Sequence, residues 1–283
     1  MNILMIGDST CYYWTDELWG LLCSAGYEAV NVCNLYYSGC TLEKYYNDWQ
    51  VDAPAYRFIT VNAEGRKLQE NVSLESALKM HDWDIISFQN SKTASAKHMD
   101  REGALRETEP YLGRLFAYVH SLYPSAQYFW NENWSPEIGY RNRTYSMDSL
   151  QQRSQLLVKL RYVAAEVSQK YGFAVIPLGE AWEKVRDMAL FAAPIPGIGA
   201  ERFTLCSRIS KGVFVDDLGH DGDIGGGQYL NACVAFEILT GSSCLGNQFR
   251  PQYAIDGIDC SLTEEKIRIL QQAAHDAVSQ WKV

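Results

Sequence analysis

Five short apolar runs mark the first two thirds of the chain: Ile3–Ile6, Glu28–Cys33, Asp84–Phe88, Ala126–Trp130 and Ala174–Leu178. Each is nearly continuous rather than alternating, the pattern of a strand buried on both faces in a parallel sheet. Between and after them the apolar period lengthens to that of helices. The pattern predicts a helix over Asp16–Ala25, closed by Gly26, and another over Glu109–Leu122, with Leu112, Leu115, Phe116, Val119 and Leu122 on one face. A third covers Ser149–Tyr171, where Ser149 and Gln152 fit a capping box and Gly172 a stop. Two more cover Gly227–Thr240, stopped by Gly241, and Ser261–Trp281, with Glu264 completing a second capping box.

Strands alternating with helices predict a doubly wound α/β fold, with helices on both faces of a mostly parallel, five-stranded sheet. Two segments interrupt the rhythm. Tyr56–Thr60 and Lys67–Asn71 flank Ala63-Glu64-Gly65-Arg66, which predicts a hairpin insertion near 56–71. Met188–Lys211 holds Pro194, Pro196, Gly197 and Gly199, which predicts a long loop near 188–211, of the kind used as a lid or binding loop. Neither resembles a separate domain, and no repeat or linker is evident, so residues 1–283 read as one domain.

Ligands of such sheets bind outside the carboxyl ends of the strands. The first run breaks at Gly7 and delivers Asp8 and Ser9 to that position. Far downstream, Asp217-Leu218-Gly219-His220 places an acid three residues before a histidine, ahead of a glycine-rich turn at Gly225-Gly226-Gly227. A serine hydroxyl needs a base to become a nucleophile, and the base needs an orienting acid. Ser9, His220 and Asp217 are that inventory; Asp216, Asp221 and Asp223 leave the acid more open than the histidine. Acyl transfer also needs donors for an oxyanion. The Ser9 N–H, the Gly39 N–H after the second run, and a side-chain amide from Gln89-Asn90 after the third could converge on one sheet edge. Asp8 reads as a structural hydrogen-bonder.

Composition narrows the partners. A formal charge of −9 lacks the clustered Lys and Arg of a nucleic-acid footprint and gives no reason to dock on anionic lipid. No apolar stretch is long enough to span a bilayer, and the chain enters a strand directly after Met1-Asn2, which predicts a cytoplasmic protein. The 8 cysteines form no C-x-x-C pair, and most read as buried free thiols; Cys11 and Cys40 flank the candidate site and read as small space-filling residues. No metal or cofactor is called for. With 18 Tyr and 8 Trp, part of the aromatic content is available to line a groove. Trp130-Asn131-Glu132-Asn133-Trp134, after the fourth run, reads either as a sugar platform, with Trp130, Asn131 and Trp134 on substrate, or as a packed turn. Tyr13 raises the same choice beside the nucleophile. His81, His98, His120 and His275 read as ordinary histidines, His98 alone lying where it could touch substrate.

Gly7-Asp8-Ser9, Gly39 and Asp217/His220, in that order, resemble the blocks of the SGNH (GDSL-like) hydrolase superfamily. Ser38-Gly39-Cys40-Thr41-Leu42-Glu43-Lys44, Asp82-Trp83-Asp84-Ile85-Ile86-Ser87-Phe88-Gln89 and the stretch from Gly227-Gln228-Tyr229-Leu230 to Gly241 bring the chain close to the bacterial DUF4886-type branch. The resemblance implies a flavodoxin-like three-layer α/β/α sandwich and metal-independent ester hydrolysis, with O-deacetylation of a carbohydrate favoured. The usual G-x-N-D block is replaced by Phe88-Gln89-Asn90-Ser91; related sugar O-acetylesterases imply Gln89 as the third oxyanion donor, with Asn90 in reserve. Two competing readings are a flavodoxin-like module holding a phosphate or nucleotide at Gly7–Thr10 and a glycan-binding pseudoenzyme.

Overall fold

A computed structural model describes residues 1–91, 100–142 and 145–281. Its main sheet has the strands β1 (Asn2–Gly7), β2 (Asn31–Tyr36), β3 (Tyr56–Asn62), β4 (Gly65–Val72), β5 (Ile85–Phe88), β6 (Gln127–Glu132) and β7 (Ala174–Pro177), in the order β4-β3-β2-β1-β5-β6-β7. The parallel strands β2, β1, β5, β6 and β7 are the five apolar runs of the sequence. The second begins three residues later than predicted, because the chain turns through Ala29 at φ 50° before Asn31 pairs with Asn2.

The hairpin forms, but it is no appendage. β3 pairs antiparallel with β2 and β4 with β3, so the sheet has seven strands rather than five. Exposure explains why neither strand read as a doubly buried run: β4, the edge, is exposed from Gly65 to Asn71, and β3 is interrupted by exposed Arg57.

Helices α1 (Thr15–Ser24), α2 (Leu42–Gln50), α3 (Leu74–Leu78), α4 (Arg101–Leu122), α5 (Leu150–Tyr171), α6 (Leu178–Val185), α7 (Ala189–Ala192), α8 (Gly227–Thr240) and α9 (Glu264–Gln280) cover the two faces. Ile3 and Met5 of β1 face one core with α1, α6, α8 and α9; Leu4 and Ile6 face the other with α2, α3, α4 and α5. The period-2 geometry of a strand thus divides one apolar run between two cores, giving the three layers.

Two helix starts differ by two residues or more from the sequence reading, and α2, α3 and α6 were not foreseen. α4 starts at Arg101, where the Asp100 carboxylate caps the Gly103 N–H, and continues through Pro110. α9 starts at Glu264 with Thr263 as its cap, two residues later than a Ser261 box would place it. The Thr41 hydroxyl caps α2 by accepting from the Lys44 N–H at 3.2 Å. The 188–211 segment is not wholly loop either. It contains α7 and the strand β8 (Ser207–Ser210), which turns at Lys211-Gly212 to pair with β9 (Val213–Asp216).

The chain runs from β1 to β2 on one side and returns to β5 on the other. β1 therefore ends at a topological switch point, where the neighbouring crossovers diverge and leave a crevice. That end carries Ser9.

Candidate active site

β1 ends in a glycine because a side chain at Gly7 would collide with Gln89 and with Cys11 Sγ at 2.7 Å. Asp8 then caps a single 3₁₀ turn, Ser9–Cys11: its carboxylate accepts from the Thr10 N–H at 2.9 Å and the Thr10 hydroxyl at 2.7 Å. The turn presents Ser9, which is 6% exposed. Asp8 is the structural hydrogen-bonder the sequence suggested. The same bonds count against a phosphate cradle, since the Thr10 N–H is taken by the Asp8 carboxylate and the Cys11 N–H by the Asp8 carbonyl at 3.2 Å.

The partner histidine arrives on the loop between β9 and α8. Gly222 and Gly225 let that loop press on the backbone of residues 204–207, where any Cβ would collide; their N–H groups donate to the Leu205 and Ser207 carbonyls, each at 2.8 Å. Leu218 takes a left-handed conformation, φ 61°, which folds Asp217 back onto the histidine three residues on. The result is a continuous chain: Ser9 Oγ lies 2.8 Å from His220 Nε2, and His220 Nδ1 lies 2.9 Å from Asp217 Oδ2. Asp217 Oδ1 also accepts from the backbone N–H groups of His220 at 2.8 Å and Gly219 at 3.1 Å.

Burial opposes the charge on Asp217, but the hydrogen bonds and charge of His220 and the two N–H donors outweigh it and hold the carboxyl well below the usual carboxylate range. An ionised Asp217 can only accept, so the imidazole proton sits on Nδ1 and the Nε2 lone pair faces Ser9. Among the described residues, neither the Ser9 N–H nor the Gly39 N–H has an acceptor. Gly39 lies on the exposed turn after β2 at φ 63°, with open space around its Cα. Neither donor is consumed by the described residues.

A family model described as a domain of unknown function, DUF4886, matches residues 2–277. The chain belongs to the DUF4886 family. A DUF4886 family protein of known structure from Bacteroides uniformis is 22% identical, with a TM-score of 0.74 over 99% of this chain and 95% of that one. A candidate SGNH hydrolase from Slackia heliotrinireducens is 16% identical, with a TM-score of 0.52 over 84% of this chain and 98% of that one. The fold of this DUF4886 protein is the SGNH hydrolase fold. No curated protein matches the chain.

Other expected site residues lie elsewhere. The Gln89 amide does not face the nucleophile as an oxyanion donor; it is buried beneath the turn and donates to the Asp8 carboxylate and, at 2.7 Å, to Thr10 Oγ1. The reserve, Asn90, is likewise engaged: its oxygen accepts from Leu42 N–H at 3.1 Å and its amide donates to Thr108 Oγ1 at 3.2 Å, joining the start of α2 to α4. The sugar platform is absent. Trp130 belongs to one core and Trp134 to the other, where it stacks on Trp182 with ring centroids 4.7 Å apart. Asn131 between them is buried, and its amide has no hydrogen-bond partner among the described residues. Strand alternation would put two residues four apart on one face, but β6 ends at Glu132, so the chain has left the strand before Trp134 and the two indoles part. Tyr13 does reach the site: its ring meets the His220 ring edge-on at 5.5 Å, and burial raises its hydroxyl to about 12, against the opposing charge of Arg208. Cys11 and Cys40 are buried free thiols with raised pKa, burial being the main cause. Of the eight, Cys23 is exposed. His98 lies outside the described residues.

Sequence reasoning missed four contributors. Asn133 accepts from Thr10 Oγ1 at 3.1 Å and ties the nucleophile turn to the end of β6. Arg208 of β8 donates to Asp217 Oδ2 at 3.1 Å. Glu137 donates its N–H to the Leu218 carbonyl at 2.7 Å, with its carboxylate held by buried Arg186 at 2.8 Å. Tyr140 packs over Gly219, where a side chain would clash with its ring. Only the Asn in the block after β6 carried any signal, and it was read as a substrate contact next door.

Proposed function

We propose that this DUF4886 protein is a serine esterase that removes a small acyl group, acetyl foremost, from a carbohydrate through an acyl-enzyme on Ser9. The observation that carries the reading is the Ser9–His220–Asp217 chain, with a lone pair on Nε2 directed at the hydroxyl. Ser9 Oγ attacks the ester carbonyl as its proton passes to Nε2. The Ser9 and Gly39 N–H groups stabilise the oxyanion, and the imidazolium protonates the departing alkoxide. Water, deprotonated by His220, then attacks the acyl-serine and releases the acid. Serine, imidazole and carboxylate supply nucleophile, base and orienter, so no step calls for a metal. The low exposure of Ser9 supports a small acyl group, and Tyr13 beside His220 supports an alcohol portion with a ring.

The test is labelling by a fluorophosphonate and hydrolysis of p-nitrophenyl acetate, repeated with Ser9→Ala and His220→Ala. Labelling at Ser9 and a loss of about a thousandfold or more in turnover for either variant are expected. Wild-type protein that neither labels nor turns over, or variants as active as wild type, would defeat the reading. A panel of acetylated sugars then ranks the alcohol portion.

A further inference from the structure

Arg208 is surplus to the triad. Asp217 already accepts from His220 Nδ1, His220 N–H and Gly219 N–H, which fix the imidazole without help. The guanidinium nevertheless reaches from β8 to place Nε and one Nη, each 3.1 Å away, on the same Oδ2. Its plane lies over the Tyr13 ring, 5.3 Å from the centroid, and Tyr13 in turn abuts His220. Its other Nη has no protein partner among the described residues. The side chain is 17% exposed, so the cation is both held in place and open to one side.

This placement carries an electrostatic consequence. When Ser9 attacks the ester carbonyl and passes its proton to Nε2, His220 becomes an imidazolium whose natural counter-charge, Asp217, is shared with a second cation. A cation beside a developing cation disfavours that state unless another negative charge joins them. Among the described residues, Asp223 feels the guanidinium, but its carboxylate is held by the Ile209 and Ile224 N–H groups, and Asp221 is fully buried; neither is placed to close on the open side of Arg208 and supply one, and Tyr13 and Tyr140 are phenols. The substrate can. We propose that Arg208 is a specificity-determining residue that binds a carboxylate on the alcohol portion of the ester, so that the favoured substrate is an acylated acidic sugar, its ring resting against Tyr13. Tyr13 links the Arg208 guanidinium to His220 through one ring contact on either side, a span suited to a carboxylate and an ester on the same sugar ring. A planar guanidinium with its outer edge free suits a planar carboxylate. The inference deepens the esterase reading and rests on it.

The experiment compares kcat/KM for two acetylated methyl glycosides, one of glucuronic acid and one of glucose, in wild type, Arg208→Gln and Arg208→Lys. The readout is the ratio of acidic to neutral substrate within each protein, because losing Arg208 also removes a partner from Asp217 and is expected to lower both rates. Wild type should favour the acidic ester by about tenfold or more; Arg208→Gln should bring the ratio near one, and Arg208→Lys should retain part of it. Added salt should erode the wild-type preference. A wild-type ratio near one, or a ratio unchanged in Arg208→Gln, overturns the proposal while leaving the esterase intact. Methyl glucuronide binding to Ser9→Ala protein by NMR titration, against methyl glucoside, is a second arm that needs no turnover and no change at Arg208. Preference for the acid supports the proposal and equal binding overturns it. If neither ester nor p-nitrophenyl acetate is hydrolysed, the esterase reading falls by itself, and the titration still decides the anion site.

Discussion

His220 Nε2 stands 2.8 Å from Ser9 Oγ although 211 residues separate them in the chain. Two unrelated local devices make the meeting possible. One is the Asp8 cap that turns the chain immediately after β1. The other is the left-handed Leu218, which curls the D-x-x-H segment so that one carboxylate serves both the ring and the backbone of the same histidine.

Asp217→Asn should leave the loop folded but reverse its hydrogen bonding. An amide can donate to Nδ1, which would move the imidazole proton to Nε2 and remove the lone pair from Ser9. Turnover should fall by about a hundredfold to ten-thousandfold with KM little changed, measured by steady-state kinetics on p-nitrophenyl acetate. The carboxyl is depressed in the folded state, so it stabilises the fold above its ordinary value of 3.8, and that contribution fades as pH falls through the lower folded value. The stability gap between wild type and Asp217→Asn should therefore narrow in acid; a gap that widens there would contradict the pairing.

Gln89→Leu distinguishes a scaffold amide from an oxyanion donor. An oxyanion donor would cost roughly a hundredfold or more in kcat at unchanged stability. The bonds to Asp8 and Thr10 predict the other outcome. Denaturant midpoints should reveal a loss of about 1–3 kcal/mol from the two lost buried hydrogen bonds, and kcat should fall by less than about tenfold.

Trp134→Ala should act on stability and not on substrate. The indole is 0% exposed and stacked on Trp182, so its removal should cost about 3–5 kcal/mol in chemical denaturation. KM for an acetylated sugar, measured well below the unfolding transition, should stay within about twofold, as a residue remote from the ligand requires. Tyr13→Ala should do the reverse, raising KM with little change in the denaturation midpoint.

Glu132 gives a pH signature. Burial lifts its carboxyl to about 8, while the Gly179 N–H pulls the other way at 2.9 Å. The unfolded chain releases this proton near the ordinary value of 4.5, so between there and about 8 the folded state binds more protons and stability falls as pH rises. Glu132→Gln keeps the acceptor for Gly179 and removes the titration. Its thermal midpoint should decline less than that of wild type between about pH 5 and pH 8, followed by circular dichroism. Equal slopes would assign the decline to other groups.

The sequence by itself determined the strands of the parallel sheet, most of the long helices, and the three residues, Ser9, His220 and Asp217, that the fold brings into contact. These features are local. Continuous apolar runs bury strands, helical spacing builds a face, Asp8 caps the turn that follows it, and a D-x-x-H loop brings its own two members together. Tertiary structure decided what depends on which surfaces meet. Trp130 and Trp134 entered opposite cores because β6 ends at Glu132, between them, and the chain leaves the strand before Trp134, and Gln89 turned under Ser9 because Gly7 leaves room for it. The hairpin became sheet because β2 offered an unpaired edge. Arg208 and Tyr13 came together only when β8 and the nucleophile turn were brought to the same end of the fold. A residue's hydrogen-bonding capacity is written in its type; the partner that uses it is set by packing of segments far apart in the chain.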